Sequence, residues 1–410
     1  MILKYTYKHT LYASYVGYIT QAIINNLSPL LFVTFQREFN LSLELIGLLI
    51  SLNFGTQILV DLAAVRFVDK IGYRKSAVIA HSASALGLIS LGILPNVLSS
   101  PYMGLVIAVL LNSVGGGIIE VIISPIVESL PGDEKAAAMS LLHSFYCWGV
   151  VLVVVLSTIY FNIAGMHNWI YLPVLWALVP LLNAFFFTKV PLRTLVESHE
   201  QIPLRKLFSA RVFLLLFLLM ICAGAAEQAM IQWSSLFAEL GLGVSKTMGD
   251  LLGPCAFSVL MGISRTYFGT RGGRFNLRKA LILSGVLCTA SYLMVVFSPI
   301  PLMSLIGCAL VGLSVGIFWP GVFSLSAETY PRGGTAMFAI LALAGDVGCS
   351  AGPGLVGVVS NQIQNRGTGF LSAILKGADM TQVGLKTGLL AAIIFPLILI
   401  TGVRVLRKKT

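Results

Sequence analysis

Polar positions along the 410 residues come in short clusters, separated by apolar stretches far longer than a soluble core helix needs. Read in windows of about 19 residues, the pattern predicts apolar spans near 11–35, 42–66, 76–95, 101–128, 137–162, 169–188, 211–238, 247–268, 279–298, 301–327, 335–360 and 383–405. That is twelve. Several exceed the roughly 20 residues that cross a bilayer, and the longer ones are expected to tilt or protrude. Between the sixth and seventh spans a charge-mixed stretch from Lys189 to Arg211 interrupts the pattern with Arg193, Glu197, Glu200, Arg205 and Lys206. The expected architecture is an all-α membrane protein of 12 transmembrane helices in two six-helix bundles, residues 1–190 and 211–410, joined by a cytoplasmic linker at 191–210.

Composition agrees with a lipid environment. Hydrophobic residues make up 57% of the chain and charged residues 10%, against about 25% charged in an average soluble domain. The net charge of +11 would suit nucleic acid, but its distribution argues otherwise. With the N-terminus in the cytoplasm, about 22 of the 27 Lys and Arg fall on that side, leaving Arg37, Lys246, Arg366, Lys376 and Lys386 outside. This is the positive-inside asymmetry of a multi-pass protein. It predicts the cell membrane as the location, with both termini cytoplasmic, the bilayer as a partner and no nucleic acid. The first span follows Lys4 and Lys8, is too long for a signal peptide and lacks a small-residue cleavage site, so it counts as a helix. All six cysteines lie in apolar spans without metal-ligand spacing, and neither a metal nor a cofactor is expected.

Short matches recur at an offset of about 200 residues, the mark of an internal repeat. Gln21-Ala22 with Asn25 corresponds to Gln228-Ala229 with Gln232. Glu128-Ser129-Leu130-Pro131 corresponds to Glu328-Thr329-Tyr330-Pro331, each followed by an Ala-Met pair, and Arg74-Lys75 corresponds to Arg278-Lys279. Three matches in one order imply a duplicated six-helix unit, a plan that sets a central site between two halves.

After the second span the chain reads Val65-Arg66-Phe67-Val68-Asp69-Lys70-Ile71-Gly72-Tyr73-Arg74-Lys75. This resembles the signature loop of the major facilitator superfamily, Gly-x-x-x-Asp-Arg/Lys-x-Gly-x-Arg/Lys-Arg/Lys, with Val65 in place of the first glycine. The resemblance implies a transporter fold. Asp69 is then expected to meet the positive end of the eleventh helix as a cytoplasmic latch. Glu128 and Glu328 are expected to pair with Arg74, Arg271, Arg274 or Arg278, unless all these are solvated interfacial charges.

The fourth span carries Gly115-Gly116-Gly117-Ile118-Ile119-Glu120-Val121-Ile122-Ile123-Ser124-Pro125. It is similar to the pattern Gly-x-Gly-x-x-Glu-x-x-x-x-Pro of the fucose:proton symporter family, whose proton-linked Glu maps onto Glu120. That family's second carboxylate, an Asp four residues before a Pro in the first helix, maps onto Asn25 before Pro29. An amide releases no proton, so Glu120 or another acid has to carry coupling, or transport is not proton-coupled.

Ionisable groups inside a span cost at least about 2.5–3.5 kcal/mol each, which marks them as functional candidates. Asp61, Glu120, Glu227 and Asp346 fall within spans, whereas Lys and Arg are read as staying at the ends. With no central cation, a neutral or cationic solute is expected. Glu120 can take up a proton from one side and release it when water enters from the other, and Glu227 and Asp346 are further coupling candidates. Asp61, two turns before Asp69, is assigned to the gate. Asp346 sits in a small-residue run from Ala344 to Gly354 that is read as a hinge. Gln21 with Asn25, and Gln228 with Gln232, each share a helix face, and their amides suit a hydroxyl-rich solute or else bond neighbouring helices. Trp233 and Trp319, deep in their spans, are substrate wall or core packing. His143 is a proton shuttle or a histidine bonded in the core.

No Gly-x-x-x-x-Gly-Lys-Ser/Thr loop is present, so nucleotide-driven pumping is not expected. The leading expectation is uptake of a small neutral polar solute, such as a sugar, by proton symport through alternating access. Proton-coupled efflux of cationic or hydrophobic compounds is the alternative. A non-transporting sensor is a third; a membrane enzyme would need a nucleophile–base pair or a metal cluster, and the scattered histidines form neither.

Overall fold

The computed structural model describes residues 5–131, 135–192, 208–271, 276–330, 334–366, 371 and 379–407. Twelve helices long and apolar enough to cross a membrane lie within them. In the first half these are α1 (Tyr7–Phe39), α2 (Leu43–Ile71), α3 (Tyr73–Val97), α4 (Pro101–Ser129), α5 (Lys135–Ala164) and α6 (Tyr171–Lys189). In the second, α7 (Arg211–Leu236) ends in a π turn, Phe237–Gly241, and α8 joins Lys246–Asp250 to Ala256–Arg271 through a π turn, Leu251–Cys255. Then follow α9 (Leu277–Phe297), α10 (Pro301–Val315 and Phe318–Thr329), α11 (Gly334–Arg366) and α12 (Met380–Ala391 and Ile394–Arg407). No strand occurs among the described residues. Helices are the expected outcome, because each backbone N–H and C=O in hydrocarbon has to be satisfied within its own segment. Large apolar side chains on the outside, such as Ile163, Leu182 and Leu283, each at least 70% exposed, suit contact with lipid.

Short polar signals end the spans. Asn40 closes α1 in the left-handed region at φ 52°, and Ser100, Asn276 and Asp379 cap the starts of α4, α9 and the first segment of α12 with side-chain oxygens. The signature loop turns at Gly72, whose φ of 82° would strain any side-chain-bearing residue. Its N–H reaches the Val68 carbonyl as α2 ends, and α3 begins at once.

By contact the chain forms two compact units, Met1–Leu41 with Leu52–Glu197, and Ser42–Ser51 with Ser198–Thr410. The charged residues expected to form the linker lie, from Arg193 to Lys206, outside the described residues. In unit 1 the glycine run of α4 sets the packing. A Cβ at Gly115 would overlap Ser84 of α3, one at Gly116 would press on Gln21 and Gln57, and one at Gly117 would meet Val60 and Asp61. Three consecutive glycines thus let α4 approach α1, α2 and α3 closely. The core beside it holds His81, whose Nδ1 donates to the Ala77 carbonyl at 2.8 Å while Nε2 accepts from Asn183 at 2.8 Å.

In unit 2 the same device joins α7 to α11. Cβ atoms at Gly224, Gly348 and Gly352 would run into the backbones of Gly345, Ile221 and Ala225 respectively. The run read as a hinge is therefore an unbroken part of α11 whose glycines seat it on α7. The first residues of α2 belong to this unit, where Asn361 donates to Glu44 at 2.8 Å and Ser51 and Ser350 exchange side-chain-to-carbonyl bonds of 3.1 and 3.0 Å.

Candidate functional site

Within unit 1 a continuous hydrogen-bonded row crosses α4, α2 and α1. Ser113 donates to the Asn53 carbonyl at 2.8 Å, and Asn53 donates to the Asn25 carbonyl at 2.9 Å. Asn25 also accepts from Gln57 at 2.9 Å, Gln57 accepts from Gln21 at 2.8 Å, and the same Gln21 amide reaches Glu120 Oε2 at 3.3 Å. Gln21, Asn25, Asn53 and Gln57 are all buried. Asp61 closes the row, its carboxylate oxygen within 4.8 Å of that of Glu120. Gln21, Asn25 and Glu120, expected to share a site, are therefore together.

At its Glu120 end the row brings two carboxylates together, and the Oε1 of the Gln21 amide that reaches Glu120 is a buried oxygen with no hydrogen-bond donor among the described residues. Such a set is completed by a proton or a cation. Asp61, assigned from sequence to the gate, lies with the coupling candidate instead. Asn53 and Gln57 escaped the sequence reading, although Asn53, Gln57 and Asp61 stand at i, i+4 and i+8 and so mark one polar stripe on α2.

Unit 2 has its own row on α7. Gln232 donates to Gln228 at 3.0 Å, and Gln228 donates to Glu227 Oε1 at 3.3 Å. Glu227 Oε2 accepts from Arg265 Nη2 of α8 at 2.8 Å, an ion pair whose side chains are 5% and 18% exposed respectively. The expectation that Lys and Arg stay at span ends is thus corrected. Arg265 stands six residues before the end of α8, about 9 Å inside it, close enough for its long side chain to neutralise a carboxylate in the middle of α7. The ground for excluding anionic solutes goes with it. Asp250 was also missed: it is fully buried on α8, with Ser235 bonded to one oxygen and Lys246 to the other at 2.9 Å. An i, i+4 Lys–Asp pair at a helix start reads as solvated in sequence; here it is packed between the two π turns.

The aromatic candidates separate. Trp233 is fully buried and its indole N–H is bound to the Pro353 carbonyl at 3.1 Å, the behaviour of a packing residue. Trp319 is partly exposed, tilted against Phe323 with centroids 6.2 Å apart, and its ring fills the space beside Gly345 where a Cβ would overlap it. Asp346, next along α11, is buried. His143 is exposed and edge-on to Tyr18, with ring centroids 5.2 Å apart, so it is no core histidine.

The gate residues fare differently. Asp69 and Glu128 lie on α2 and α4 with their side chains outside what the structure describes, as are those of Arg271 and Arg274. Glu328 is exposed and pairs with no described cation. Arg74 pairs with no acid among the described residues: its two terminal nitrogens donate to the carbonyls of Phe187 and Val190, both at 2.8 Å, at the end of α6. A guanidinium fork there satisfies backbone oxygens the helix leaves open and complements the negative end of its dipole. Arg74→Ala is accordingly expected to cost about 1.5–3 kcal/mol for a charged hydrogen-bond donor, read as a lower Tm in detergent, whereas Glu328→Gln should leave the Tm unchanged.

A sequence profile of the Major Facilitator Superfamily matches residues 14–353. No curated protein sequence matches the chain. Among solved structures, a bacterial homologue of the human lysosomal transporter Spinster, inward-facing and occupied, aligns with TM-score 0.76 at 15% identity over 98% of this chain and 97% of that one. The nucleoside transporter NupG aligns with TM-score 0.71 at 13% identity over 97% and 98%. The E. coli fucose:proton symporter FucP aligns with TM-score 0.62 at 17% identity over 96% and 98%. At these identities the likeness concerns the fold alone. Twelve apolar spans and a profile match over most of the length together establish that the chain belongs to the Major Facilitator Superfamily and is a multi-pass membrane transporter rather than an enzyme.

Proposed function

We propose that this transporter is a proton-coupled symporter of a small polar solute, such as a sugar or a sugar derivative. It would work by alternating access in the cell membrane with both termini cytoplasmic. One observation supports the coupling above others: the Asp61 and Glu120 carboxylates, with oxygens within 4.8 Å, share the end of a hydrogen-bonded amide row inside a membrane-spanning unit. Two carboxylates that close repel when both are ionised, so the pair holds a proton between them at far lower cost than it holds two charges. Glu120 on α4 and Asp61 on α2 would supply the two-acid arrangement that the fucose:proton symporter pattern builds with an acid at the position of Asn25. The amides of Gln21, Asn25 and Gln57 in unit 1, and of Gln228 and Gln232 in unit 2, offer donors and acceptors to hydroxyl groups. Trp319 offers a flat ring for stacking, and Asp346 stands as a further proton-bearing group on α11.

The test uses purified protein in proteoliposomes with radiolabelled sugars, polyols and sugar acids. An inward proton gradient should drive accumulation of a member of this panel above its external concentration, and collapsing the gradient with a protonophore should abolish it. Solute accumulation indifferent to the gradient would refute the coupling. Proton release from loaded vesicles on adding cationic drugs, with no uptake from the panel, would favour the efflux alternative.

A further inference from the structure

We propose that Arg265 is the solute-binding cation of unit 2 and that the solute carries a carboxylate, which takes the place of the Glu227 carboxylate on the guanidinium as Glu227 takes up a proton. The inference rests on the transport reading above and goes beyond it by naming the charged group of the solute. Its starting point is the 2.8 Å ion pair between Arg265 Nη2 and Glu227 Oε2. A guanidinium in a membrane span needs one counter-charge at all times, because an uncompensated ion there is far costlier than a paired one. Glu227 supplies that charge in the structure. Two states satisfy the requirement equally: an ionised Glu227 on Arg265, or a protonated Glu227 with a solute carboxylate on Arg265. Exchange between them moves one carboxylate and one proton together and leaves the net charge of the site unchanged.

The contact geometry favours such an exchange. The Glu227 contact joins one terminal nitrogen to one oxygen at 2.8 Å, and carboxylates are the natural partners of a guanidinium. Arg265 is the more exposed partner, at 18% against 5%, so an incoming anion reaches the guanidinium before the carboxylate. Beyond the pair, the amides of Gln228 and Gln232 continue the row for about a helical turn along α7 and fit hydroxyls on the remainder of the solute. A small polyhydroxylated monocarboxylate is therefore the class indicated. Titratable groups on elements packed against α7 include Asp346 and Cys349 on α11, Asp250 and Lys246 on α8, which pair with each other, Cys308 and the exposed Glu328 on α10, Arg404 on α12, and Tyr292 on α9, whose hydroxyl is committed to the Ala226 carbonyl at 2.8 Å. Glu328 is exposed and pairs with no described cation, so its amide variant serves as the control.

Two measurements on the purified full-length protein decide the matter. In Glu227→Gln the arginine loses the Glu227 charge, so formate, lactate and D-gluconate should each raise the Tm of this variant by more than they raise that of the wild type, at matched ionic strength. D-Glucose and D-glucitol should not, and Arg265→Gln should abolish the carboxylate effect while Glu328→Gln keeps it. Should the variant fail to fold, the wild type gives the second reading. Adding D-gluconate in weakly buffered solution should cause uptake of about one proton per bound carboxylate, and D-glucose should cause none. Equal protection by the uncharged compounds, no rescue of Glu227→Gln by any carboxylate, or gluconate binding without proton uptake would each overturn the proposal. Because Glu120→Gln alters the acid pair of unit 1 and leaves Arg265 untouched, carboxylate-dependent proton uptake in that variant tests the Arg265 site, while its accumulation of solute tests the acid pair, so either reading can fail without the other.

Discussion

Glu120→Gln is expected to abolish proton-driven accumulation while solute exchange continues. In proteoliposomes with an inward gradient of one pH unit and no membrane potential, a symporter moving one proton per solute can sustain about tenfold accumulation, because 1.4 kcal/mol corresponds to a factor of ten. The variant should settle at equal concentrations inside and out, yet still exchange external labelled solute for internal unlabelled solute. Glutamine matches glutamate in size and keeps an oxygen for the Gln21 amide, which now donates to Glu120 Oε2 at 3.3 Å. It cannot carry a removable proton. Loss of exchange along with accumulation would mean that Glu120 binds the solute and is not the coupling group. Asp61→Asn is expected to lose accumulation in the same way, since Asp61 and Glu120 hold their carboxylate oxygens within 4.8 Å and one proton serves both. Full accumulation in Asp61→Asn would assign the proton to Glu120 alone.

The twelve spans were legible in sequence because their signal is dense: every helix crossing hydrocarbon repeats the demand for apolar side chains about 20 times. Their boundaries were less so. The spans predicted at 11–35 and 335–360 extend in the structure to Tyr7–Phe39 and Gly334–Arg366, since the added turns carry polar residues such as Lys8, Arg37, Asn361 and Gln364, which lower the mean of a hydropathy window. In the site, Gln21 and Glu120 could be picked out because each interrupts an apolar run, and the glycine triplet before Glu120 told of a close helix approach. What the sequence hid was which polar residue meets which. Asp61 and Glu120 are 59 positions apart, and only the seating of α4 on α2 at Gly117 brings them together. Arg265 was hidden by its length: its Cα sits near the end of α8, and a long side chain carries the charge inward. Arg74, given a gating role through its motif, is held by the open carbonyls of α6, a partner that no motif in the loop reveals.

The ion pair of unit 2 makes the sharpest stability prediction. Glu227→Ala should destabilise the protein by about 3–5 kcal/mol, the cost of leaving a buried charge without its partner. The Gln228 amide would also lose its acceptor at 3.3 Å. Arg265→Met with Glu227→Leu should recover most of that loss, because a buried ion pair exchanged for apolar side chains of similar size is often neutral or stabilising. If the pair were only a structural cross-link between α7 and α8, the double variant would fold and still transport. As a solute site it would fold and transport nothing, for the apolar replacement removes both the guanidinium that receives a carboxylate and the acid that receives the proton. Thermal denaturation and uptake measured on the same three proteins therefore separate stability from function: Tm should fall in the single variant and return in the double, while uptake should be lost in both.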